Sequence, residues 1–228
     1  MTLILKKEDL ARPWVIIIIT ALCAQFLGRY FATKYFVIGN YFYAMWVILR
    51  IAIPVAVIAL LKIPVNELGL GIPRVDKTMR AVLIGASLLL IAAFAGIYFY
   101  QGYYSSYSGS FTSGAGDRAQ RFMNFMIFTS STLTGWEFIH RCFLLMGLTC
   151  VLTAREKIDP GTAGAIAATV VWVFEVVFHF VKPPLEAGGL LIGSPLLSYL
   201  ALRTGSIWPA FLMHLVVEVL FIASLIFR

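Results

Sequence analysis

Long apolar runs separated by short polar connectors are the dominant pattern along this chain. Most runs are close to the roughly 20 residues that a helix needs to cross a bilayer, and the run 121–153 exceeds that length. Seven such runs are predicted as spans, near 13–32, 40–61, 80–101, 121–153, 161–181, 187–202 and 206–227. The pattern therefore predicts an all-α, polytopic transmembrane bundle of about seven to eight spans, formed by a single membrane domain over 1–228 with its core helices in 121–222.

The composition supports a bilayer environment and excludes several other classes. Hydrophobic residues make up 61% of the chain and charged residues 13%, whereas soluble domains are about half apolar and about a quarter charged. A soluble enzyme, a DNA-binding protein and a disulfide-stapled secreted domain are thereby excluded. Cys23, Cys142 and Cys150 lie in apolar runs without paired spacing, so we expect them to be small buried hydrophobic side chains.

The formal net charge of +7 bears on orientation. The basic residues are scattered through the loops without a cluster or stripe, so they indicate no nucleic-acid partner. Placing the N-terminus inside puts more of the loop Lys and Arg on the cytoplasmic side. We therefore expect a multi-pass protein of the prokaryotic cytoplasmic membrane with its N-terminus inside. The Tyr-, Ser- and Gly-rich loop 101–120 is either an ordinary external loop or a flexible segment that gates something at the interface.

Ionisable residues inside the predicted spans are the main functional signal. A charged side chain at the bilayer centre costs at least about 2.5–3.5 kcal/mol on insertion scales, so such residues usually face the bundle interior. Three glutamates and every histidine of the chain fall there: Glu137, Glu175, Glu218, His140, His179 and His214. This concentration predicts a polar site between helices.

The spacing of these residues sharpens the prediction. Three pairs are four residues apart, so each pair lies on one face of its helix: Glu137 with Arg141, Glu175 with His179, and His214 with Glu218. If the three faces converge, carboxylates and imidazoles can hold and deprotonate a water molecule. Alternatively, each pair is only a neutral couple that lets a polar residue enter a span.

Two basic residues and one histidine receive different predictions. Arg141 is expected to keep Glu137 ionised and fixed in place. His140 points away from Glu137 and has no obvious partner, so we predict a histidine buried by helix packing. Arg50 is alone in its span and is predicted to snorkel to the interface or to pair structurally.

Two segments resemble a known family. They are residues 136–142, which read WEFIHRC, and residues 193–211 with the following His214. They are similar to the CPBP or Abi family of intramembrane proteases, which includes CAAX prenyl proteases and bacteriocin-processing enzymes. The resemblance covers roughly residues 62–222. It implies a multi-pass helical fold and an endopeptidase that cleaves a membrane-associated protein or peptide near its membrane-anchored terminus.

The first motif of that family, E-E-x-x-x-R, is matched only in part. Glu137 and Arg141 fit its second Glu and its Arg, but Trp136 stands where the first Glu is expected. The resemblance implies that this first Glu is the base that activates water. One hypothesis is therefore that the base has moved to Glu137 or Glu175, with Trp136 shaping the substrate groove. The alternative is an inactive scaffold or an immunity-type binding protein.

The second and third motifs also depart from the family pattern. His179 fits the histidine of F-x-x-x-H with Glu175 in place of Phe, and His214 fits that of H-x-x-x-N with Glu218 in place of Asn. The resemblance implies that the last histidine and its helix neighbour stabilise the oxyanion. An ionised Glu218 can only accept hydrogen bonds, so it is protonated in that role or else orients His214.

Two further possibilities concern metal ions and transport. No cofactor is expected, although His179, His214 and a glutamate are a possible zinc ligand set and form the less favoured alternative. Intramembrane Glu, His and Arg also form proton relays in transporters, but no inverted repeat supports that class. The expected partners are a membrane-associated protein or peptide substrate and the lipid bilayer.

Overall fold

The computed structural model of this chain describes residues 12–34, 41–99, 116–179 and 184–227. Within these ranges every regular element is helical. The elements are, in chain order, α1 (Pro13–Lys34), α2 (Tyr41–Leu61), a 3-10 turn (Val65–Glu67), α3 (Lys77–Phe99), α4 (Arg118–Glu137), a π-helical segment (Phe138–Gly147), α5 (Leu148–Ala154), α6 (Pro160–His179), α7 (Pro184–Thr204) and α8 (Trp208–Phe227). The all-helical prediction is thus confirmed for the described residues.

The described helices lie at the predicted apolar runs, but fewer of them than predicted are candidate membrane spans. Three helices of the described part are long and apolar enough to cross a membrane: Arg118–Ala154, Pro160–His179 and Trp208–Phe227. Shorter apolar helical stretches occupy Pro13–Gly28 and Leu49–Leu61. The described residues therefore support a helical membrane protein, but they do not support the count of seven to eight spans.

The longest of these helices is interrupted by the π-helical segment. Residues 118–154 form one 37-residue helical run, and its middle ten residues, Phe138–Gly147, are π-helical. Side chains 139–147 of this segment are all buried, and it packs against α1, α2, α6 and α7. π-helices are rare, usually a single turn long, and frequent at functional sites. The segment is therefore the central core element of the described fold.

Helix α6 faces this core with small residues that lead to its polar pair. Ala163, Ala167 and Val171 are fully buried, and Glu175 and His179 continue the same four-residue spacing. Small side chains let helices approach closely without a hydrophobic driving force, as is typical of membrane proteins. The stripe thus directs the Glu175 and His179 face towards the π-helical segment.

The connector between α2 and α3, residues 62–76, holds the start of α8 in place through hydrogen bonds. The backbone N–H of Ile207 donates to the carbonyl of Gly69 at 2.8 Å, and the Ser206 hydroxyl donates to the carbonyl of Gly71 at 2.7 Å. The Trp208 indole N–H adds a bond to the Leu70 carbonyl at 3.0 Å. Gly69 has φ of +70°, which side chains with a Cβ rarely adopt. The connector therefore fixes the beginning of the helix that carries His214.

Two sequence predictions outside the polar residues can be compared with the fold. All three cysteines are free, Cys142 is buried and Cys150 is partly buried, but Cys23 is exposed. The prediction of burial is therefore wrong for Cys23, because it lies on the face of α1 that is turned away from the core. Most of the predicted loop 101–120 lies outside the described residues.

Replacement of Gly69 should destabilise the protein more than replacement of its neighbour Gly71. A Cβ at Gly69 would adopt an unfavourable φ and lie 3.0 Å from Met146 Cε, whereas one at Gly71 meets nothing within 4 Å. We expect Gly69→Ala to lower the free energy of unfolding by about 1–3 kcal/mol. Thermal unfolding in detergent would measure this, with Gly71→Ala as the matched control. Equal losses for both variants would contradict the docking role of the connector.

The start of α6 should contribute a pH-dependent stability. Asp159 precedes Pro160, and its Oδ1 accepts hydrogen bonds from the backbone N–H of Gly161 at 2.9 Å and Thr162 at 3.1 Å. Bonds from Thr162, followed by that from Gly161, lower the pKa of Asp159 below its ordinary value of 3.8. The ionised cap therefore stabilises the fold above pH 3.8, and this contribution is lost as the pH falls through the lowered pKa.

The measurement for Asp159 is the melting temperature of wild type and Asp159→Ala as a function of pH. The difference between the two should be present at neutral pH and shrink in strong acid. Asp159→Asn is the matched control, because an amide caps the helix but does not titrate. Its advantage over Asp159→Ala should not change with pH. A wild-type advantage that persists unchanged into strong acid would contradict the prediction.

Candidate functional site

Polar side chains from α1, α4, the π-helical segment, α6 and α8 meet in the interior of the described fold. We call them the polar cluster: Gln25, Trp136, Glu137, His140, Arg141, Glu175, His179 and His214. Most of them are fully buried, so each polar atom needs a partner within the cluster. The described structure thus brings together residues from all three predicted pairs, while their catalytic roles stay predictions.

Arg141 and Glu175 form the centre of the cluster. Arg141 Nη2 donates to Glu175 Oε2 at 3.0 Å, and Nη1 donates to Glu175 Oε1. The Trp136 indole N–H donates to the same Oε1 at 2.9 Å. Such a bidentate pair is among the strongest side-chain contacts. Because donors occupy both its oxygens, Glu175 is stabilised as a carboxylate and is a poor acceptor for a further proton.

The expected Arg141–Glu137 ion pair is present, but it includes no hydrogen bond, so the expectation that Arg141 holds Glu137 in place is corrected. The nearest approach of these two side chains is 3.9 Å, from Arg141 Nε to Glu137 Oε2. Neither of these two buried atoms has a hydrogen-bond partner within the described residues. The spacing of four residues put the pair on one face, but the guanidinium reaches across to α6, where a carboxylate can accept two bonds at once.

Glu137 instead pairs with His214 on α8. His214 Nδ1–H donates to Glu137 Oε1 at 2.7 Å, and His214 Nε2 lies 3.8 Å from Glu218 Oε1. The exposed side-chain fraction rises from 1% for Glu137 to 18% for His214 and 32% for Glu218. The Glu137–His214 pair thus connects the buried interior of the polar cluster with a partly exposed edge, where Glu218 lies.

His179 hydrogen-bonds to the backbone of its own helix. Its Nδ1–H donates to the backbone carbonyl of Glu175 at 2.8 Å. The edge of its ring meets the face of Trp136, with a centroid separation of 5.1 Å. The two residues of the predicted Glu175–His179 pair are therefore joined through the imidazole and the Glu175 backbone carbonyl.

His140 is a fully buried member of the cluster, so the prediction of a histidine buried by helix packing is confirmed, and the structure adds the partners that the spacing did not reveal. Its Nδ1 lies 2.8 Å from the Trp136 carbonyl and its Nε2 lies 3.1 Å from Gln25 Nε2. The π-helical segment packs against α1, which brings Gln25 to a histidine that the linear spacing left isolated. The signal that could have identified Gln25 is a side-chain amide within an otherwise apolar predicted span.

Arg50 is also turned inwards, so the snorkelling alternative is wrong. Its side chain is 3% exposed, and its Cζ lies 5.2 Å from the ring centroid of Trp136. A guanidinium over an indole face gains a cation–π attraction, which is strengthened by burial. The rings of His140 and Trp136 are 4.1 Å apart. Trp136 is consequently enclosed by Arg50, His140 and His179 while remaining partly exposed.

The possible zinc ligands do not converge in the described part of the chain. No group of three His, Cys, Asp or Glu side chains there has the geometry to hold a metal ion. His179 is oriented by a backbone carbonyl and His214 by Glu137. The arrangement fits a network of hydrogen bonds between helices, and the absence of a cofactor stays a prediction.

Comparisons with known proteins find a family model that matches the part of the chain containing this site. The family model described as type II CAAX prenyl endopeptidase Rce1-like matches residues 119–220. That segment runs from α4 to α8 and contains every residue of the polar cluster except Gln25. No curated protein and no solved structure matches the chain.

The matched family is a protease family, which supports a peptidase of the CAAX-protease type at the level of the family. Together with the apolar helices, it also supports a membrane protein. The resemblance to the CPBP family that the motifs indicated is thus confirmed over residues 119–220 as a match to the Rce1-like type II CAAX prenyl endopeptidases.

Proposed function

We propose that the chain is an intramembrane endopeptidase that hydrolyses a peptide bond near the membrane-anchored terminus of a protein or peptide. The observation that carries this proposal is the hydrogen bond from His214 Nδ1 to Glu137 Oε1 at 2.7 Å. It joins a buried carboxylate to a partly exposed imidazole, and such a pair is equipped for general-base catalysis.

His214 is the group that takes the proton from water. Its Nδ1–H is donated to Glu137, so its Nε2 is the nitrogen left to accept a proton. Glu137 holds the ring in that tautomer and stabilises the imidazolium that forms, as carboxylates do in other carboxylate–imidazole pairs. Glu218, with its carboxylate 3.8 Å from Nε2, accepts a hydrogen bond from the same water and so orients it.

The reaction then proceeds by addition and elimination. The water oxygen attacks the peptide carbonyl carbon while His214 Nε2 accepts a water proton, and the carbonyl electron pair moves to oxygen. When the tetrahedral intermediate collapses, the C–N bond breaks and His214 returns the proton to the leaving amine. The products are a new carboxyl group and a new amine, and Glu137 stays ionised throughout.

Glu175 has a structural role in this proposal. The hypothesis that the base moved to this residue is not favoured, because Arg141 and Trp136 already donate to both of its oxygens. In this proposal neither glutamate is the base: Glu137 orients the His214 base through its hydrogen bond, and Glu175 stays paired with Arg141. Trp136 forms the wall of the substrate groove, beside the reacting pair.

The topological part of the proposal is a multi-pass protein of the prokaryotic cytoplasmic membrane with its N-terminus inside. Two hydrogen bonds bring the connectors after α2, α5 and α7 to one end of the bundle. Arg155 Nη2 donates to the Leu61 carbonyl at 2.7 Å, and the Arg74 backbone N–H donates to the Thr204 carbonyl at 2.9 Å. These connectors carry several basic residues, which is typical of the cytoplasmic side.

The alternative function is an inactive scaffold or an immunity-type binding protein. The observation in its favour is that Trp136, at the position of the first motif glutamate, donates to Glu175 and is enclosed by basic and imidazole side chains. A Trp at this position supplies no base. This alternative predicts that a partner binds the wild-type protein and stays uncleaved.

Substitution of the reacting pair should abolish cleavage without removing the protein from the membrane. We expect His214→Gln and Glu137→Gln each to lower the cleavage rate by about 100-fold or more, the contribution typical of general-base catalysis. The measurement is quantitative mapping of protein termini in the native host, with chromosomal variants compared with wild type. Ser224→Ala, which changes a buried side chain on the same helix as His214, is the matched control.

The outcomes of terminus mapping separate the two functions. Loss of the same termini in both variants, but not in Ser224→Ala, supports the peptidase and identifies its substrate. If wild type and both variants yield identical termini at equal membrane abundance, the peptidase proposal is wrong and the scaffold alternative is favoured.

Glu175→Gln should lower the stability of the fold, and any loss of cleavage should follow from that loss of folded protein. Breaking a buried ion pair by removing one charge typically costs about 3–5 kcal/mol, and here it leaves Arg141 without the carboxylate that accepts its hydrogen bonds. We expect a marked fall in the amount of folded protein, measured by fluorescence-detected size exclusion and thermal unfolding. The conservative Glu137→Gln change should cost much less, because its carboxylate accepts from a single imidazole. Equal stability of wild type and Glu175→Gln would contradict the structural role.

A further inference from the structure

Helix α1 reaches the polar cluster through one side chain, although it lies outside the residues matched by the family model. Gln25 is 1% exposed, and its Nε2 lies 3.1 Å from Nε2 of the fully buried His140. A polar contact at this depth is costly to leave incomplete. The contact therefore has to be explained by the chemistry of the two groups.

The partners of His140 determine where its proton lies. Its Nδ1 is 2.8 Å from the backbone carbonyl of Trp136, and a carbonyl oxygen can only accept a hydrogen bond. Nδ1 consequently carries the hydrogen. For Nε2 two states are then possible, a neutral ring that accepts a bond from the Gln25 amide or a charged ring that donates one.

The surroundings of the ring favour the neutral state. Arg141 follows directly in the chain, and Arg50 stacks on the Trp136 ring that His140 itself contacts. The nearby Glu175 is 3.9 Å from Nδ1, but its charge is already paired with Arg141. A charged His140 would be the third positive charge in this buried space, repelled by two guanidinium groups and without a carboxylate of its own. The neutral ring thus accepts a hydrogen bond from the Gln25 amide.

We infer that Gln25 is a positioning residue, which holds His140 as the neutral Nδ1–H tautomer and thereby fixes the Trp136 wall of the site. The inference about the tautomer depends only on the described contacts. Its consequence for catalysis rests on the proposed function. His140 touches Trp136 twice, through the backbone carbonyl and through the ring contact at 4.1 Å.

The predicted consequence is an effect on substrate binding. With the bond to Gln25 removed, the His140 ring is free to rotate against the Trp136 indole. The reacting pair, Glu137 and His214, does not include His140 and keeps its own hydrogen bond. A variant at Gln25 should therefore raise KM about fivefold, the effect of one lost hydrogen bond of about 1 kcal/mol, and leave kcat within about twofold.

The direct test is nitrogen NMR of the full chain, labelled with ¹⁵N-histidine and held in lipid nanodiscs. The chain has three histidines, so His140→Gln, His179→Gln and His214→Gln assign the signals, by elimination if one variant does not fold. We expect His140 at neutral pH to give one protonated nitrogen, Nδ1, and one unprotonated nitrogen, Nε2. In Gln25→Met the Nε2 signal should move to the position of an imidazole nitrogen that accepts no hydrogen bond.

Cys23→Met is the matched control, because it places the same side chain on an exposed position of α1 two residues away. It should leave the His140 signals and KM unchanged. A wild-type His140 protonated at Nε2 or at both nitrogens overturns the inference, and so does an unshifted Nε2 signal in Gln25→Met. The NMR result stands even if no cleavage is found in any variant, so a failure of the proposed peptidase function is distinguishable from a failure of this inference.

Discussion

The pairing of Arg141 with Glu175 is the interaction on which the interior of this protein depends. A guanidinium and a carboxylate are both excluded from solvent, and each would be prohibitively costly there without the other. The pair also connects the π-helical segment to α6 and gives Trp136 an acceptor for its indole N–H. Other members of the polar cluster are arranged around this fixed centre, so their geometry follows from it.

Glu175 is paired with Arg141, and the other two glutamates of the predicted spans, Glu137 and Glu218, lie in different surroundings. Glu137 is buried and accepts a hydrogen bond from His214, whereas Glu218 lies at the more exposed edge near Nε2 of the same ring. Three chemically identical side chains thus occupy three environments: a buried ion pair with Arg141, a buried hydrogen bond with His214 and a partly exposed edge. Burial and the number of nearby donors separate them, which is the usual way in which proteins give different roles to similar groups.

The helices before the family-matched segment are part of the same polar network. Gln25 on α1 contacts His140, and Arg50 on α2 covers the ring of Trp136. Both contacts surround the position where the chain departs most from the family motif. A large aromatic ring at that position needs neighbours that pack on its faces and orient its backbone, and α1 and α2 supply them.

The sequence by itself determined the helical class, the membrane environment and the helices on which the polar residues lie, because hydropathy and spacing along a helix are local properties. The family resemblance also came from local motifs, and the match over residues 119–220 confirmed it. The hydrogen-bond partners of the polar side chains could not be predicted in this way. Only the tertiary structure decided that Arg141 binds Glu175, that His214 binds Glu137 and that His140 meets Gln25. These bonds join different helices, so they depend on how far apart and how rotated the helices are, and spacing within one helix cannot specify that.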